Sequence, residues 1–343
     1  MSIVLVTGGA GFIGSHLVDR ILDQGLGVRV LDNLSTGSLR NLQAAADRQA
    51  APGSSAAGAG RHPRLELMIG DIRDEKLVRK AMQRVERVFH LAALPARGGA
   101  SSWPAELHTV NVQGTLNVLQ AATAEGVRRV VFASCASVYG PADGAPLAED
   151  SLPRPASVFA ASKLAAEVYC QAYQSAHHLE TVILRFFAVY GPRQNALTEG
   201  AIVPALIDTL RRGQRPVIAG DGRDPRDFLY IDDAVETTLG AGDAPAAAGR
   251  VINVASGQMA SVMEMLDILN RLLRTAAVPR LSRPRLTAPV TARAETALAR
   301  QLLRHAPRTS LVTGLARAVD AVADRQEEGL LAEVGLREER SDV

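Results

Sequence analysis

A glycine-rich segment near the start of the chain, residues 7–14 with the sequence TGGAGFIG, most strongly constrains what the chain can fold into. It follows an apolar, β-branched strand pattern and precedes a helix pattern. In such a strand–turn–helix unit Gly8 permits a sharp turn, Gly11 lets the backbone approach a pyrophosphate, and Gly14 lets the helix pack closely on the strand. The unpaired N–H groups at the start of the helix attract an anion. The segment therefore predicts a dinucleotide-binding turn.

An acidic residue at the end of the next predicted strand narrows this prediction. Asp32 lies 18 residues after Gly14, and a carboxylate there can accept hydrogen bonds from a ribose 2′-OH. The same carboxylate would repel a 2′-phosphate. Asp32 thus predicts NAD rather than NADP as the dinucleotide.

Strand and helix patterns alternate through the first half of the chain. Strands are predicted at 2–7, 27–32, 65–70, 87–91, 129–134 and 181–186, and helices at 12–24, 106–125 and 160–177. Alternation of this kind is typical of parallel strands joined by crossover helices. The predicted fold class is α/β, a Rossmann-type doubly wound parallel sheet with a smaller α/β C-terminal domain.

The alternation ends after Tyr190, where Pro, Gly and Arg become frequent around predicted helices at 201–212 and 262–273. We expect residues 1–185, with about 226–255, to form the dinucleotide-binding domain. Residues 186–225 and 256–323 are expected to form the smaller domain. Residues 324–343 form a charged tail, and we expect 338–343 to be disordered. The Ala-, Gly- and Ser-rich segment 44–61 predicts a mobile surface loop.

Charge and cysteine content exclude several classes of protein. Lys and Arg total 38 against 36 Asp and Glu, a balance that favours neither nucleic acid nor a membrane surface as a partner. Cys135 and Cys170 are the only cysteines, which excludes a disulfide-rich secreted scaffold and a multi-cysteine zinc site, and we expect no metal. The apolar opening lacks the basic start of a signal peptide and the length of a membrane span. We expect a soluble cytoplasmic protein.

Several further motifs occur in a fixed order along the chain. They lie at residues 32–37, 70–74, 90–93, 111–115, 137–140, 160–163, 185–192 and 220–228. Together with the glycine-rich segment they make the chain resemble the extended short-chain dehydrogenase/reductase family, and within it the nucleotide-sugar epimerases and dehydratases. The resemblance runs from about residue 3 to residue 314 and is closest to UDP-hexose 4-epimerases.

The resemblance implies that NAD stays bound, oxidises a sugar hydroxyl, and returns hydride after the keto-sugar has been altered or rotated. By analogy Asp71 and Ile72 contact adenine, and Lys163 holds the nicotinamide ribose. The implied cofactor-binding residues are Gly8, Gly11, Phe12, Ile13, Gly14, Asp32, Asn33, Asp71, Ile72, Ala92 and Lys163. The implied partner is a nucleotide-diphosphate sugar, with a UDP-sugar favoured, whose phosphates Arg226 and Arg285 grip. A guanidinium fork suits phosphate oxygens.

Three positions at the chemical centre depart from the family pattern. The catalytic Tyr-x-x-x-Lys pair has become Phe159 and Lys163, and a benzyl ring cannot accept a proton. The Ser or Thr partner has become Cys135, whose thiol is a weak donor but whose thiolate could act as a base. Ala188 stands where relatives often carry a substrate-binding Asn.

These departures leave three explanations open. The chain is an engineered Tyr-to-Phe variant, a natural enzyme in which Cys135 or another residue takes the proton, or a natural non-catalytic relative that binds nucleotide sugar or NAD. Loss of a positioned general acid–base costs about 10²- to 10⁴-fold in rate.

The resemblance also indicates which reaction the protein catalyses, on which substrate, and which oligomer it forms. Ala136 and Ser137 replace the acidic residues that dehydratases and decarboxylases carry, which favours 4-epimerisation, with Ser137 in the substrate site. A small residue at the gating position, Ala292, favours an N-acetylated hexose, so the UDP-GlcNAc/UDP-GalNAc pair is a predicted substrate. The helices predicted at 106–125 and 160–177 match those that form a dimer interface in relatives. The second presents Leu164, Val168 and Ala172 at helical spacing, and we expect a homodimer.

Overall fold

The structure is a computed structural model that describes residues 3–50, 65–95, 103–141, 144–196, 201–283 and 290–322. Its strands are β1 Ile3–Thr7, β2 Gly27–Asp32, β3 Leu65–Ile69, β4 Val85–His90, β5 Arg129–Cys135, β6 Glu180–Phe186, β7 Ala188–Tyr190, β8 Val217–Ala219, β9 Arg226–Tyr230, β10 Val251–Val254, β11 Met259–Ala260 and β12 Arg280–Ser282. Its helices are α1 Phe12–Asp23, α2 Gln43–Ala50, α3 Glu75–Met82, α4 Pro104–His108, α5 Gly114–Ala124, α6 Val158–His177, α7 Ile202–Arg211, α8 Ile231–Asp243, α9 Val262–Leu273, α10 Ala297–Leu303 and α11 over 311–322.

Seven strands form one sheet in the order β10-β6-β5-β4-β1-β2-β3, and every neighbouring pair is parallel. The predicted doubly wound parallel sheet is therefore confirmed. From β1 the chain builds outward through β2 and β3, then returns to the other side of β1 with β4. This reversal opens a crevice at the carboxyl ends of the strands, where ligands bind in open α/β sheets.

Both faces of this sheet are buried along its central strands, as the apolar strand sequences require, whereas Leu67 and Ile69 on the edge strand β3 are exposed. On β1, Val4 and Val6 pack with α1, whereas Leu5 points into the second cluster, which includes Val78 of α3 and Ala166 of α6. The two layers of helices fix the strand ends, and so hold the crevice open at one edge.

A smaller group of strands follows β6. β9 pairs with β7 in parallel and with β11 in antiparallel, and β8 pairs with β12. The first residues of the range 226–255 thus lie in the three-stranded sheet, while β10 joins the large one. The predicted helices 201–212 and 262–273 correspond to α7 and α9.

Two predicted elements differ in the structure. The surface loop predicted for 44–61 is wrong at its start, because α2 is helical and packs Ala45, 1% exposed, into the core. Alanine-rich sequence favours a helix once a preceding turn nucleates it. The single helix predicted at 106–125 is α4 and α5 joined by a π-helical segment, Thr109–Gln113.

The tail 324–343, including 338–343, lies outside the described residues, as does most of the predicted loop. No helix in the described ranges combines the length and the apolarity needed to cross a bilayer.

Candidate active site

A cleft of about 1460 Å³ opens at the carboxyl ends of β1, β2, β4 and β5. It runs from the glycine-rich turn, past Cys135 and Phe159, to residues that follow β6. Pockets for a single small ligand are typically about 300–1,000 Å³. The cleft therefore has room for a dinucleotide and a second ligand side by side.

The glycine-rich turn forms one end of the cleft. Gly8 has a positive φ of 73°, and a Cβ on it would lie 2.7 Å from the backbone nitrogen of Ala92. A Cβ on Gly14 would lie 2.2 Å from the carbonyl oxygen of Gly8. Gly11 caps α1 without any side-chain hydrogen bond, so the first N–H groups of the helix remain for an anion. This end of the cleft has the shape and polarity that a pyrophosphate requires.

Asp32 holds this turn as well as facing the cleft. Its Oδ2 accepts a hydrogen bond from the backbone N–H of Ala10 at 2.9 Å, and its Oδ1 accepts one from Leu34 at 2.8 Å. Each carboxylate oxygen retains a second lone pair, which a ribose hydroxyl can use. The predicted ribose-binding residue therefore also positions the phosphate-binding turn, a link that the sequence does not reveal.

The two residues predicted to bind adenine, Asp71 and Ile72, lie in different surroundings. Ile72 lines the cleft together with Arg73. The carboxylate of Asp71 instead accepts hydrogen bonds from the Arg73 guanidinium at 2.8 and 2.9 Å and from the Asn33 side chain at 2.8 Å. These donors lower the pKa of Asp71 to about 2. Asp71 thus orders Asn33 and Arg73, and is not among the residues that line the cleft.

His90, behind Ala92, is buried and neutral. Its Nδ1 lies 2.7 Å from the Thr7 hydroxyl and its Nε2 lies 2.9 Å from the Thr115 hydroxyl. Because Thr115 donates its own proton to the carbonyl of Asn111 at 2.6 Å, it accepts from Nε2–H. Burial lowers the pKa of His90 to about 3. This histidine therefore serves as a fixed link between β1, β4 and α5.

Cys135 ends β5 on the floor of the cleft. Its Sγ lies 2.7 Å from the hydroxyl of Ser137, and both residues line the cleft. Burial raises the pKa of the Cys135 thiol above its usual value, although Ser137 and the charge of Lys163 act in the opposite direction. The thiol is therefore protonated at neutral pH, a donor rather than a base.

Phe159 and Lys163 lie one turn apart on α6, the spacing that places two side chains on one helix face. Ser157 caps the N-terminus of this helix, and its side-chain oxygen accepts a hydrogen bond from the N–H of Ala160 at 3.1 Å. The Phe159 ring lines the cleft. Lys163 is 4% exposed, and its Nζ lies 4.3 Å from the centroid of the Phe132 ring. Burial lowers the pKa of Lys163 to about 8.

A buried ion pair supports this centre from behind. Arg185 on β6 and Glu167 on α6 form a charge-assisted pair, and the Ser134 hydroxyl donates to the same carboxylate. Ser134 directly precedes Cys135, so the pair fixes α6, β5 and β6 against one another.

The far side of the cleft carries the predicted substrate-binding residues. Ala188 and Arg226 line the cleft. Ala292 is 1% exposed, and Val290 rather than Ala292 lines the cleft nearby. Arg285 lies outside the described residues. Ala188 on β7 and Arg226 on the neighbouring strand β9 thus both line the cleft.

Arg193 and Gln194 are among the cleft residues that the sequence prediction missed. Arg193 has a positive φ of 65° and its Nη1 lies 2.7 Å from the carboxylate of Asp19 on α1. Gln194 donates from Nε2 to the carbonyl of Val189 at 3.1 Å, while its Oε1 is buried without a hydrogen-bond partner among the described residues. The only signal in the sequence is their position just after Gly191-Pro192, a turn that follows β7.

Comparison with known proteins gives one consistent result. The profile of the NAD dependent epimerase/dehydratase family matches residues 4–255. A UDP-glucose 4-epimerase of Mycolicibacterium smegmatis is 36% identical over 318 residues, covering 92% of this chain and 97% of that protein.

Two solved structures have the same fold at similar identity. The UDP-glucose 4-epimerase of Thermotoga maritima with UDP-glucose gives a TM-score of 0.84 at 30% identity, covering 94% of this chain and 99% of that one. A second structure is a tyrosine-to-phenylalanine mutant of the Bacillus cereus UDP-glucuronic acid 4-epimerase with NAD and UDP-4-deoxy-4-fluoro-glucuronic acid. It gives a TM-score of 0.84 at 29% identity, covering 94% of this chain and 99% of that one. The similarity extends over nearly the full length of all three chains.

Proposed function

This chain belongs to the NAD dependent epimerase/dehydratase family, and we propose that it uses bound NAD to interconvert the C4 epimers of a UDP-sugar. The observation that carries the proposal is the single cleft that joins a pyrophosphate-shaped turn to Cys135, Phe159 and an arginine-bearing wall. A hydride carrier and a sugar diphosphate would meet at its centre.

The residues present fit NAD. The short distance from Gly14 to the Gly8 carbonyl leaves no room for side chains beneath a pyrophosphate, and Asp32 offers free lone pairs to ribose. We propose that the cofactor is held by Gly8, Gly11, Phe12, Ile13, Gly14, Asp32, Asn33, Ile72, Ala92 and Lys163, with Asp71 ordering Asn33. When bound, NAD accepts hydride from the sugar and returns it.

The side chains beside Cys135 favour epimerisation over elimination. Ala136 and Ser137 carry no carboxyl group, so neither can protonate a leaving hydroxyl. Epimerisation needs only a proton and a hydride to leave C4–OH and return after the keto-sugar has rotated. Ser137, already hydrogen-bonded to Cys135, can donate to the sugar oxygen during this exchange.

A second candidate is a relative that binds NAD and UDP-sugar without turnover. It is favoured by the ring of Phe159, which has no hydroxyl, and by the raised pKa of the Cys135 thiol. Both candidates share the same ligands, so turnover separates them.

A more specific part of the proposal concerns which sugar is bound and which residues hold its diphosphate. The relatives above act on or bind glucose and glucuronic acid, so their names do not agree on one sugar. We propose that Arg226 and Arg285 hold the diphosphate and that the small side chain of Ala292 favours a bulky 2-substituent, as in UDP-GlcNAc and UDP-GalNAc. A preference for unacetylated UDP-glucose would contradict this part alone.

We further propose a homodimer formed through α5 and α6. On α6, Val168 is 57% exposed and Tyr169 40% exposed, a large apolar area for a surface helix. Ala172 is exposed beside them, whereas Leu164 packs inward against the cluster that contains Tyr139. Sedimentation of the wild type and of Val168→Glu tests the proposal, and an unchanged monomer–dimer balance would contradict it.

We also propose a cytoplasmic location for the protein and a division of the chain into two domains. Cys135 and Cys170 are both free thiols, which suits the reducing cytoplasm. We propose that the seven-stranded sheet and its helices form the cofactor domain, and that 186–225 and 256–323 form the sugar-nucleotide domain. Separate loss of NAD or UDP-sugar affinity in variants of each region tests this division.

The main experiment measures turnover directly. Purified protein is incubated with UDP-glucose, UDP-GlcNAc and their 4-epimers, and the products are resolved by ¹H NMR. Formation of the opposite epimer with NAD retained supports the proposal. Saturable binding of NAD and UDP-sugar without product supports the second candidate, and failure to bind NAD would contradict both. Phe159→Tyr, run in parallel, is expected to raise the rate.

A further inference from the structure

The glycine-rich turn leads into α1, and one face of this helix carries three side chains of mixed chemistry. Phe12, His16 and Asp19 share the face, because side chains three and four positions apart lie above one another on a helix. Phe12 lines the cleft beside the turn, and its ring packs edge-on against the His16 ring with centroids 6.1 Å apart. The face therefore begins at the proposed pyrophosphate end of the cleft and runs about two turns along the helix.

The last two side chains of this face hold a distant part of the chain, residues 192–194. The Nε2 of His16 lies 3.0 Å from the carbonyl oxygen of Pro192. Because a carbonyl oxygen only accepts, Nε2 carries a proton and donates the hydrogen bond. The Oδ2 of Asp19 lies 2.7 Å from the Nη1 of Arg193, and these side chains are 15% and 20% exposed. One helix thus contacts two successive residues of the 192–194 segment.

The backbone of the 192–194 segment has a shape that needs support from outside. Arg193 has a left-handed conformation with φ 65°, which an arginine keeps only where its surroundings impose it. Gln194 bonds only to nearby backbone, donating its N–H to the carbonyl of Gly191 at 3.4 Å and its side-chain Nε2 to that of Val189 at 3.1 Å. Within the described residues, the hydrogen bonds and ion pairs that leave this part of the chain go to α1.

The position of Gln194 depends on this arrangement. Gln194 lines the cleft, and its Nε2 is used by Val189. Its Oε1 is buried and has no hydrogen-bond partner in the described part of the chain. A buried acceptor is costly unless a donor reaches it. A rotation of the 192–194 segment would carry this acceptor away from any donor that a ligand brings into the cleft.

We propose that His16 and Asp19 are positioning residues for the sugar nucleotide, an inference that rests on the proposed function. By holding Pro192 and Arg193, they keep the Oε1 of Gln194 where it accepts a hydrogen bond from a sugar hydroxyl. Neither His16 nor Asp19 lines the cleft, so both act through the 192–194 segment. The helix that follows the pyrophosphate turn therefore has a second task, on the substrate side of the cleft.

Binding measurements test the proposal without turnover. UDP-glucose and UDP-GlcNAc are titrated into the NAD-loaded protein and followed by calorimetry, and NAD is titrated into the protein freed of cofactor. His16→Phe keeps a ring beside Phe12 but removes the donor, and Asp19→Ala removes the partner of Arg193. Each variant is expected to bind the preferred UDP-sugar about 3- to 10-fold more weakly, the usual effect of losing one such interaction. NAD affinity is expected to stay at the wild-type value.

A conservative variant and a control on the same helix separate positioning from damage to α1. His16→Gln is expected to restore most of the affinity, because an amide nitrogen there can donate to the Pro192 carbonyl. Arg20→Met breaks an exposed ion pair with Glu236 on α8 and should leave both affinities unchanged. Equal losses of NAD and UDP-sugar affinity in His16→Phe or Asp19→Ala would overturn the proposal, and so would the absence of any loss.

A double-mutant cycle shows whether the effect passes through Gln194. Once Gln194→Met has removed the acceptor, Asp19→Ala should weaken UDP-sugar binding by less than about twofold, because residues that act through one another are not additive. Losses that multiply in the double variant, as they do for independent sites, would overturn the proposal.

Hydrogen exchange of a peptide that covers residues 188–196 gives a readout that needs no ligand. Faster exchange in His16→Phe and Asp19→Ala than in Arg20→Met supports the proposal, since local opening is expected when tertiary contacts are lost. Exchange at the wild-type rate in both variants would overturn it. If the wild type binds no UDP-sugar, the proposed function fails, and the exchange rates still decide whether α1 holds the 192–194 segment.

Discussion

The Nη2 of Arg185 and the Oε2 of Glu167 lie 2.7 Å apart in the interior, where both side chains are at most 5% exposed. Arg185 also lies over the ring of Tyr139, with its Cζ 4.6 Å from the centroid, and donates to the carbonyl of Glu149 at 3.1 Å. The pair therefore joins the strand that ends at the cleft to the helix that carries Phe159 and Lys163.

Breaking this pair is expected to destabilise the protein strongly. Glu167→Ala leaves the Arg185 charge buried without its partner, which typically costs about 3–5 kcal/mol in the free energy of unfolding. Urea unfolding followed by circular dichroism measures the change. Glu236→Ala is the matched control, because Glu236 and its partner Arg20 are half exposed or more, and such pairs contribute about 0–1 kcal/mol. Similar losses in the two variants would contradict the role of burial.

Asp32→Asn is expected to weaken NAD binding about 10- to 100-fold. Asparagine has no negative charge to attract the N–H of Ala10 and a ribose hydroxyl. Its NH₂ group would also face the N–H of either Ala10 or Leu34, so that two donors would point at each other. Calorimetric titration with NAD measures the effect. Asp47→Asn, on the exposed face of α2, should bind NAD like the wild type. Undiminished affinity in Asp32→Asn would refute the ribose contact.

Gln194→Met is expected to weaken binding of a UDP-sugar about 5- to 15-fold and to leave NAD binding unchanged. The change removes a buried acceptor, Oε1, which has no hydrogen-bond partner in the described part of the chain and can accept a hydrogen bond from a sugar hydroxyl. Gln194 lines the cleft, as Ala188 does. Competition binding of UDP-sugar to the NAD complex measures the loss. Gln43→Met, on exposed α2, is the control. An equal loss of NAD affinity would show that the whole cleft had been disturbed.

Removing the amine of Lys163 is expected to change how stability depends on pH. The pKa of Lys163 is about 8 in the folded protein and about 10.4 in an unfolded chain. Between these values the unfolded chain binds more protons, so the folded wild type gains stability through this group as pH rises. Lys163→Met lacks this dependence, and its stability relative to the wild type should be about 1–3 kcal/mol higher at pH 7 than at pH 10.

Urea unfolding at pH 7, 8, 9 and 10 measures this difference for the wild type, Lys163→Met and the control Lys80→Met. The comparison between variants cancels the groups that titrate in this range independently of Lys163. A difference that stays constant with pH would contradict the lowered pKa of Lys163.

The fold could be predicted from the sequence because its signals are local. The period of apolar residues marks α1, α7 and α9, and β-branched runs between glycines mark the parallel strands. The end of α4 could not be read in this way, because the segment Thr109–Gln113 contains no glycine or proline that would mark a change from α-helical to π-helical hydrogen bonding. Helix α2 was missed because alanine-rich sequence is compatible with either a loop or a packed helix.

The site was predictable only where a motif carries it. Cys135, Phe159 and Lys163 follow fixed spacings, so their departures from the family pattern are visible in the sequence. Gln194 reaches the cleft because Arg193 adopts a left-handed conformation and pairs with Asp19, and no local propensity announces either. The hydrogen bond that the Ala10 N–H donates to Asp32 likewise depends on how two loops meet after folding.

The double attachment of Asp32 has a consequence for redesign and for evolution. If the residue at this position only bound the ribose, one substitution by a smaller or basic residue could shift the preference of the enzyme from NAD to NADP. Here the same carboxylate clamps the loop that precedes α1. A switch of coenzyme would therefore require at least one compensating replacement within that loop, and natural lineages with this clamp should change both positions together or neither.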